Sequence, residues 1–139
     1  MFDKLIIIVS DNPHKKVLFT AKERVSMIER CLEQYKDNFE VQISHNLTVH
    51  ETARLGATHI VRGLRAVTDF EYEFQLTHAN RVLDRTIDSV FFMTDNKYSF
   101  LSSTTVKEIA MFGGELKEFV PDFIVEETQE KVKKENDYL

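Results

Sequence analysis

Three short stretches of the chain carry residue types suited to binding anions. Arg62-Gly63-Leu64-Arg65 directly follows an apolar run. Guanidinium groups bind phosphate bidentately, and a glycine between them allows the backbone to approach a ligand. The pair is therefore read as ligand-binding in preference to a solvated surface pair. Tyr98-Ser-Phe-Leu-Ser-Ser-Thr-Thr105 ends in four consecutive hydroxyl residues where a helix should begin. One of them is needed as an N-cap, and the rest add donors at the positive end of a helix dipole, a setting that favours phosphate. Asp11-Asn-Pro-His-Lys-Lys16 places two lysines in a turn. There a solvated basic turn and a phosphate contact from a flexible point charge weigh about equally. Together the two arginines and the donor-rich helix start would clamp a polyphosphate.

Other residues carry less. Asp69, Glu71 and Glu73 fall in the first turns of the helix after Arg65, where acids ordinarily complement the dipole. The five histidines lack metal-ligand spacing, so no protein-borne metal site is expected. Cys31 sits within an amphipathic stretch and reads as a small core residue. Phe70 and Phe74 likewise read as core. No Walker loop, Gly-x-Gly-x-x-Gly or Gly-x-Ser-x-Gly turn occurs.

The elements that must position these residues alternate. Leu5–Val9 is an uninterrupted apolar run, as in a strand buried on both faces. Thr20 and Glu23 have capping-box spacing and open a helix to about Tyr35, and Phe39–Ile43 alternates like a strand. Thr48 and Glu51 repeat that spacing ahead of a short helix closed by Gly56. His59–Val61 is a short strand whose following loop holds Arg62–Arg65. A helix from about Thr68 to Leu83 carries Tyr72, Leu76, Ala79 and Leu83 as one stripe. Ser89–Met93 is the next strand, a helix after Thr105 stops at Gly113-Gly114, and a last helix from about Asp122 ends in a charged tail. Strands separated by helices predict an α/β fold, a doubly wound, mostly parallel sheet with ligands at the strands' carboxyl ends.

Composition narrows the function. The 139 residues are one domain's worth, 42% apolar and 29% charged, with a net charge of −5. Without a basic face, general nucleic-acid binding is disfavoured. No run is long enough to span a membrane, and no signal-peptide pattern is visible at the start. A single cysteine rules out an internal disulfide and fits a reducing compartment, so cytoplasm is expected.

Ile60-Val-Arg-Gly-Leu-Arg-Ala-Val-Thr-Asp-Phe-Glu-Tyr-Glu73 closely resembles the hallmark stretch of bacterial phosphopantetheine adenylyltransferases. Tyr98 to Glu108 is similar to that family's second nucleotide motif. Asn12-Pro-His-Lys-Lys16 with Phe19 and Glu23-Arg24, and Phe119-Val-Pro121, fall in the same order along essentially the whole chain. The resemblance implies a Rossmann-like nucleotidyltransferase fold and transfer of AMP from ATP to 4′-phosphopantetheine. The products would be dephospho-coenzyme A and pyrophosphate, with Mg²⁺ accompanying ATP and a homohexamer as the assembly. It assigns Lys15, Thr48 and Arg62 to phosphopantetheine. Gly63, Leu64, Arg65, Glu73, Tyr98, Ser99, Phe100, Leu101, Ser102, Ser103 and Thr104 fall to ATP. Tyr98 keeps a ring where the family has tryptophan, and Thr48 replaces a commoner apolar residue. Family members also carry a strand, a Gly-Thr-Phe-Asp-Pro turn and a His-x-Gly-His helix before the equivalent of Met1. The chain is thus expected to be one N-terminally truncated domain, a poor catalyst by itself, with no strand between Leu5–Val9 and His59–Val61. Two other readings stay open: a non-catalytic nucleotide-binding remnant, and a related nucleotidyltransferase with another acceptor.

Overall fold

Four strands, in two parallel pairs, and five α-helices make up the computed structural model, which describes residues 1–136. Residues 137–139, the end of the expected charged tail, lie outside the described residues. The strands are β1 (Leu5–Ser10), β2 (Phe39–Ser44), β3 (His59–Leu64) and β4 (Asp88–Met93). The helices are α1 (Ala21–Cys31), α2 (Thr48–Arg54), α3 (Val67–Leu83), α4 (Ser103–Met111) and α5 (Asp122–Asn136). The chain divides into two compact units, one holding residues 1–45 and 101 onward, the other Asn46–Phe100.

In the first unit β1 pairs in parallel with β2, from Leu5 opposite Phe39 to Ser10 opposite Ser44. Only Val9 of the run is buried, Leu5 is exposed and Ile6, Ile7 and Ile8 are half-buried, so the reading of a strand buried on both faces is corrected: in a two-stranded sheet β1 has a strand neighbour on one side only. Parallel neighbours need a crossover, and α1 supplies it. Its start is the expected capping box: Thr20 Oγ1 accepts from the Glu23 N–H at 3.2 Å, and Glu23 returns the bond to the Thr20 N–H at 2.7 Å. The helix is shorter than expected, however, ending at Cys31 and passing into a 3₁₀ turn over Glu33–Tyr35. Ala21 and Met27 face inward, while Cys31 is exposed, so its reading as a core residue is corrected. It is the last α-helical residue, off the face that packs on the strands. α4 ends in a Schellman motif, with Gly113 at φ +72° and Gly114 N–H donating to Ile109 O at 2.8 Å. The reversal lets α5 pack on α4 around Ala110, Leu116, Val125 and Val132.

In the second unit β3 pairs in parallel with β4, from His59 opposite Asp88 to Leu64 opposite Met93. Val49, Ile60 and Ile87 form its small buried cluster. Gly56, at φ +69°, closes α2 as anticipated. The other end of α2 differs from expectation. Leu47 occupies the N-cap without a side-chain bond, and Thr48 is the first helical residue. The capping box fails because Glu51 turns inward, where it is buried and accepts from Arg54 Nε at 3.1 Å and Asn46 Nδ2 at 3.2 Å. Buried carboxylates require such partners. On α3 the expected stripe is also wrong. Tyr72, Ala79 and Leu83 are exposed and Leu76 is half-buried, while Glu73 and Asn80 are buried. Phe70 and Phe74 are exposed as well, stacked at 5.9 Å, with His78 edge-on to Phe74 at 4.5 Å. The inward side of α3 is set by an ion pair that its apolar pattern does not reveal.

Candidate functional site

That ion pair joins α3 to the end of β3. The ladder with β4 continues through Leu64, so Arg62, Gly63 and Leu64 lie on the strand and only Arg65 begins the connection to α3. Arg62 Nε donates to both carboxylate oxygens of Glu73 at 3.0 Å, and Nη2 to Oε1 at 2.5 Å. Glu73 is 6% exposed, and its hydrogen bonds hold the Arg62 guanidinium firmly in the charged form. One helical turn earlier, Asp69 Oδ2 accepts from the backbone N–H of Arg65 at 3.1 Å and from its Nε at 2.9 Å. Oδ1 accepts from Nη2 at 3.3 Å. These bonds keep the Asp69 carboxyl below its ordinary 3.8. Each arginine singled out in the sequence thus meets a carboxylate of α3, and the two carboxylates lie one turn apart.

Gly63 does not need its glycine for backbone conformation. A Cβ there would meet only Thr94 Oγ1, at an ordinary 3.7 Å, so the space beside this strand residue is open. Leu64 is buried in the unit's interior. Thr48 is exposed at the start of α2, and its carbonyl accepts from Thr52 Oγ1 at 2.7 Å. Tyr98 closes a 3₁₀ turn over Asn96–Tyr98, with the Lys97 ammonium 4.7 Å from its ring centroid. Ser99 Oγ donates to Asn96 O at 2.8 Å, and the Phe100 ring is exposed.

The remaining expected residues belong to the first unit. Ser102 is the N-cap of α4, accepting from the Thr105 N–H at 3.1 Å and lying 2.9 Å from its hydroxyl. Those two hydroxyls are structural, whereas Ser103 and Thr104 are exposed in the first turn. That turn holds no acid, unlike the first turns of α1, α2, α3 and α5, so its dipole has no local counter-charge. Leu101 is half-buried just before it. Lys15 is exposed in a turn closed by its N–H to Asn12 O at 3.1 Å and by His14 N–H to Asn12 Oδ1 at 2.9 Å.

Sequence reasoning missed the group that secures this last turn. Arg24 Nη1 donates to Ser10 O at 3.0 Å, and Asp11 lies 3.8 Å from both Arg24 and His45 Nδ1. The three come from the end of β1, from α1 and from the end of β2. Their separation in sequence leaves no local signal. The structure brings together Arg62 with Glu73 and Arg65 with Asp69. Lys15 and Leu101–Thr104 belong to one unit, and Thr48, Arg62–Arg65, Glu73 and Tyr98–Phe100 to the other. Among the described residues no three His, Cys, Asp or Glu side chains gather as a metal cage. No described helix is long and apolar enough to cross a membrane.

Parallel strands joined by helices are consistent with a Rossmann-like nucleotidyltransferase fold, the class that the family match identifies. The cytidylyltransferase-like family model matches residues 1–109. At finer grain, the phosphopantetheine adenylyltransferase of Caldanaerobacter subterraneus subsp. tengcongensis is 45% identical over 134 residues, 96% of this chain and 83% of the relative. The protein of that name from Clostridium perfringens is 44% identical over 131 residues, 94% of this chain and 79% of the relative. The one from Lachnoclostridium phytofermentans is 46% identical over 131 residues, 94% and 80% of the two chains. The chain belongs to the phosphopantetheine adenylyltransferase family.

Proposed function

We propose that the protein transfers AMP from ATP to 4′-phosphopantetheine in coenzyme A synthesis. A phosphate oxygen of phosphopantetheine attacks the α-phosphorus of ATP. The bond from that phosphorus to the bridging oxygen breaks, and pyrophosphate leaves in line, giving dephospho-coenzyme A with no covalent enzyme intermediate. Such reactions depend on positioning and on stabilising charge over the phosphoryl oxygens. The observation that carries the reading is the pair of arginines at the carboxyl end of β3, each held by a carboxylate of α3. Arg62 and Lys15 are assigned to the acceptor phosphate and Arg65 to the phosphates of ATP. The α4 start at Ser102–Thr104 is assigned to ATP phosphate on the strength of its donors and its first turn free of acids. Gly63, Leu64, Glu73 and Tyr98–Leu101 are proposed to line the nucleotide, and Thr48 to touch phosphopantetheine through its backbone.

The described residues do not fit a dedicated Mg²⁺ cage. Mg²⁺ is therefore assigned to the nucleotide, arriving as MgATP with the phosphates as principal ligands. A homohexamer in the cytoplasm is proposed from the family resemblance alone; exposed Phe70, Phe74, Val82 and Leu83 on α3 offer apolar surface for self-association of some kind. The test of the activity is pyrophosphate release with MgATP and 4′-phosphopantetheine, with dephospho-coenzyme A identified by mass. Both products should form in equal amounts. Products other than these two, or equal turnover with an unrelated phosphorylated acceptor, overturn the reading.

A further inference from the structure

α3 begins without the side-chain cap that a helix entered from a strand usually has. Its N-cap is Ala66, which offers no acceptor, and Asp69 stands three residues on. An acid at that position ordinarily complements the dipole, for which nearness to the first turn suffices. Asp69 does more. It accepts from the backbone N–H of Arg65 at 3.1 Å and grips the same residue's guanidinium through Nε at 2.9 Å and Nη2 at 3.3 Å. One carboxylate thus sets both the backbone where the chain leaves β3 and the direction of the side chain leaving it.

We infer that Asp69 is a positioning residue, holding Arg65 in the orientation in which it meets the phosphates of ATP. The inference rests on the nucleotide reading of Arg65 proposed above. Its physical basis is preorganisation: a free arginine loses its rotamer freedom when it binds, whereas one already tethered loses it on folding. A planar fork held along its Nε edge also has a fixed plane, which matters for bidentate contact with phosphate. Those bonds hold the Asp69 carboxyl below its ordinary value, so it stays ionised and able to accept from Arg65 throughout the neutral range. The neighbouring pair repeats the arrangement. Glu73 holds Arg62 by Nε and Nη2 in the same way, four residues along the helix. α3 therefore acts as a rack that fixes both arginines of the Arg62–Arg65 segment.

A double-mutant cycle separates positioning from a helix-start role. Unmodified protein, D69A, R65A and R65A/D69A are titrated with ATP by calorimetry, and KM and kcat are measured with 4′-phosphopantetheine, alongside thermal melts. D69N, which keeps the shape and loses the charge, repeats the single variant. Asp69 is partly exposed, so both variants should fold. D69A is expected to weaken ATP binding roughly 10- to 100-fold, the scale of a misplaced positioning group, and to raise KM for ATP. The double variant should bind no more weakly than R65A alone. Weakened binding in R65A with unchanged binding in D69A and D69N overturns the positioning role and leaves the nucleotide reading intact. Additive losses in the cycle overturn it too, as does a lowered melting temperature with unaltered ATP affinity. If R65A binds ATP as the unmodified protein does, the nucleotide reading of Arg65 falls, and the positioning inference with it.

Discussion

The two units share a parallel strand pair flanked by helices, yet they hold themselves together and present positive charge in different ways. The first has an apolar centre where α4 meets α5 around fully buried Leu116, and its candidate cation, Lys15, stands exposed in a turn. The second has only a small apolar cluster, and its inward positions include Glu51, Glu73 and Asn80. Its candidate cations are tethered to carboxylates, and α3 and β4 leave Phe70, Phe74, Phe92 and Met93 exposed. One parallel scaffold can thus be stabilised mainly by burying hydrocarbon or partly by satisfying buried charge. The second course spends apolar surface elsewhere and yields rigid guanidinium groups.

Core truncation gives the sharpest test of that contrast. Leu116→Ala should cost about 2–5 kcal/mol in urea unfolding, since a fully buried leucine leaves both lost transfer energy and a cavity. Val49→Ala, in the smaller cluster, should cost about 2 kcal/mol for its two methyl groups. Equal losses would remove the distinction between the two cores. Activity separates the cations next. Arg65→Ala should raise the barrier for ATP by roughly 2–4 kcal/mol, as for loss of one charge-stabilising donor. Lys15→Ala should cost about 1.5–3 kcal/mol, read mainly as a higher KM for 4′-phosphopantetheine. A larger effect at Lys15 than at Arg65 would mean that tethering confers no advantage.

Buried charge should matter to stability only in the second unit. Arg54→Ala takes the cation from a buried carboxylate and should lower stability in chemical denaturation, with Glu51→Gln in the same background restoring part of it. The acid limb offers a gentler comparison. Hydrogen bonds from Lys131 and from Thr20 hold Glu23 below its ordinary 4.5, and those from Arg65 hold Asp69 below 3.8. A carboxyl depressed by folding adds stability above its unfolded value and loses it as pH falls through the folded one. Melting temperatures should therefore drop on acidification below about pH 4.5, with E23Q flattening the curve from there and D69N only from about pH 3.8. The smallest change is expected at Cys31→Ala, within about 0.5 kcal/mol, because the thiol is exposed.

Much of this protein was legible along the chain because it depends on neighbours in sequence. The Thr20 capping box, the glycine stops at Gly56 and Gly113, the apolar run of β1 and the hydroxyl-rich start of α4 all act within a few residues. The order β–α–β follows from them, and so does the placing of Arg62–Arg65 at a strand's end. What depends on residues far apart was decided only in three dimensions. Arg62 reaches Glu73 eleven positions away, and Asp11 meets His45 across thirty-four. A periodicity argument takes polar residues as outward and aromatic ones as inward. On α3 that rule failed in both directions, because a buried carboxylate with a guanidinium partner is cheap enough to face inward, and Phe70 and Phe74 were left outside.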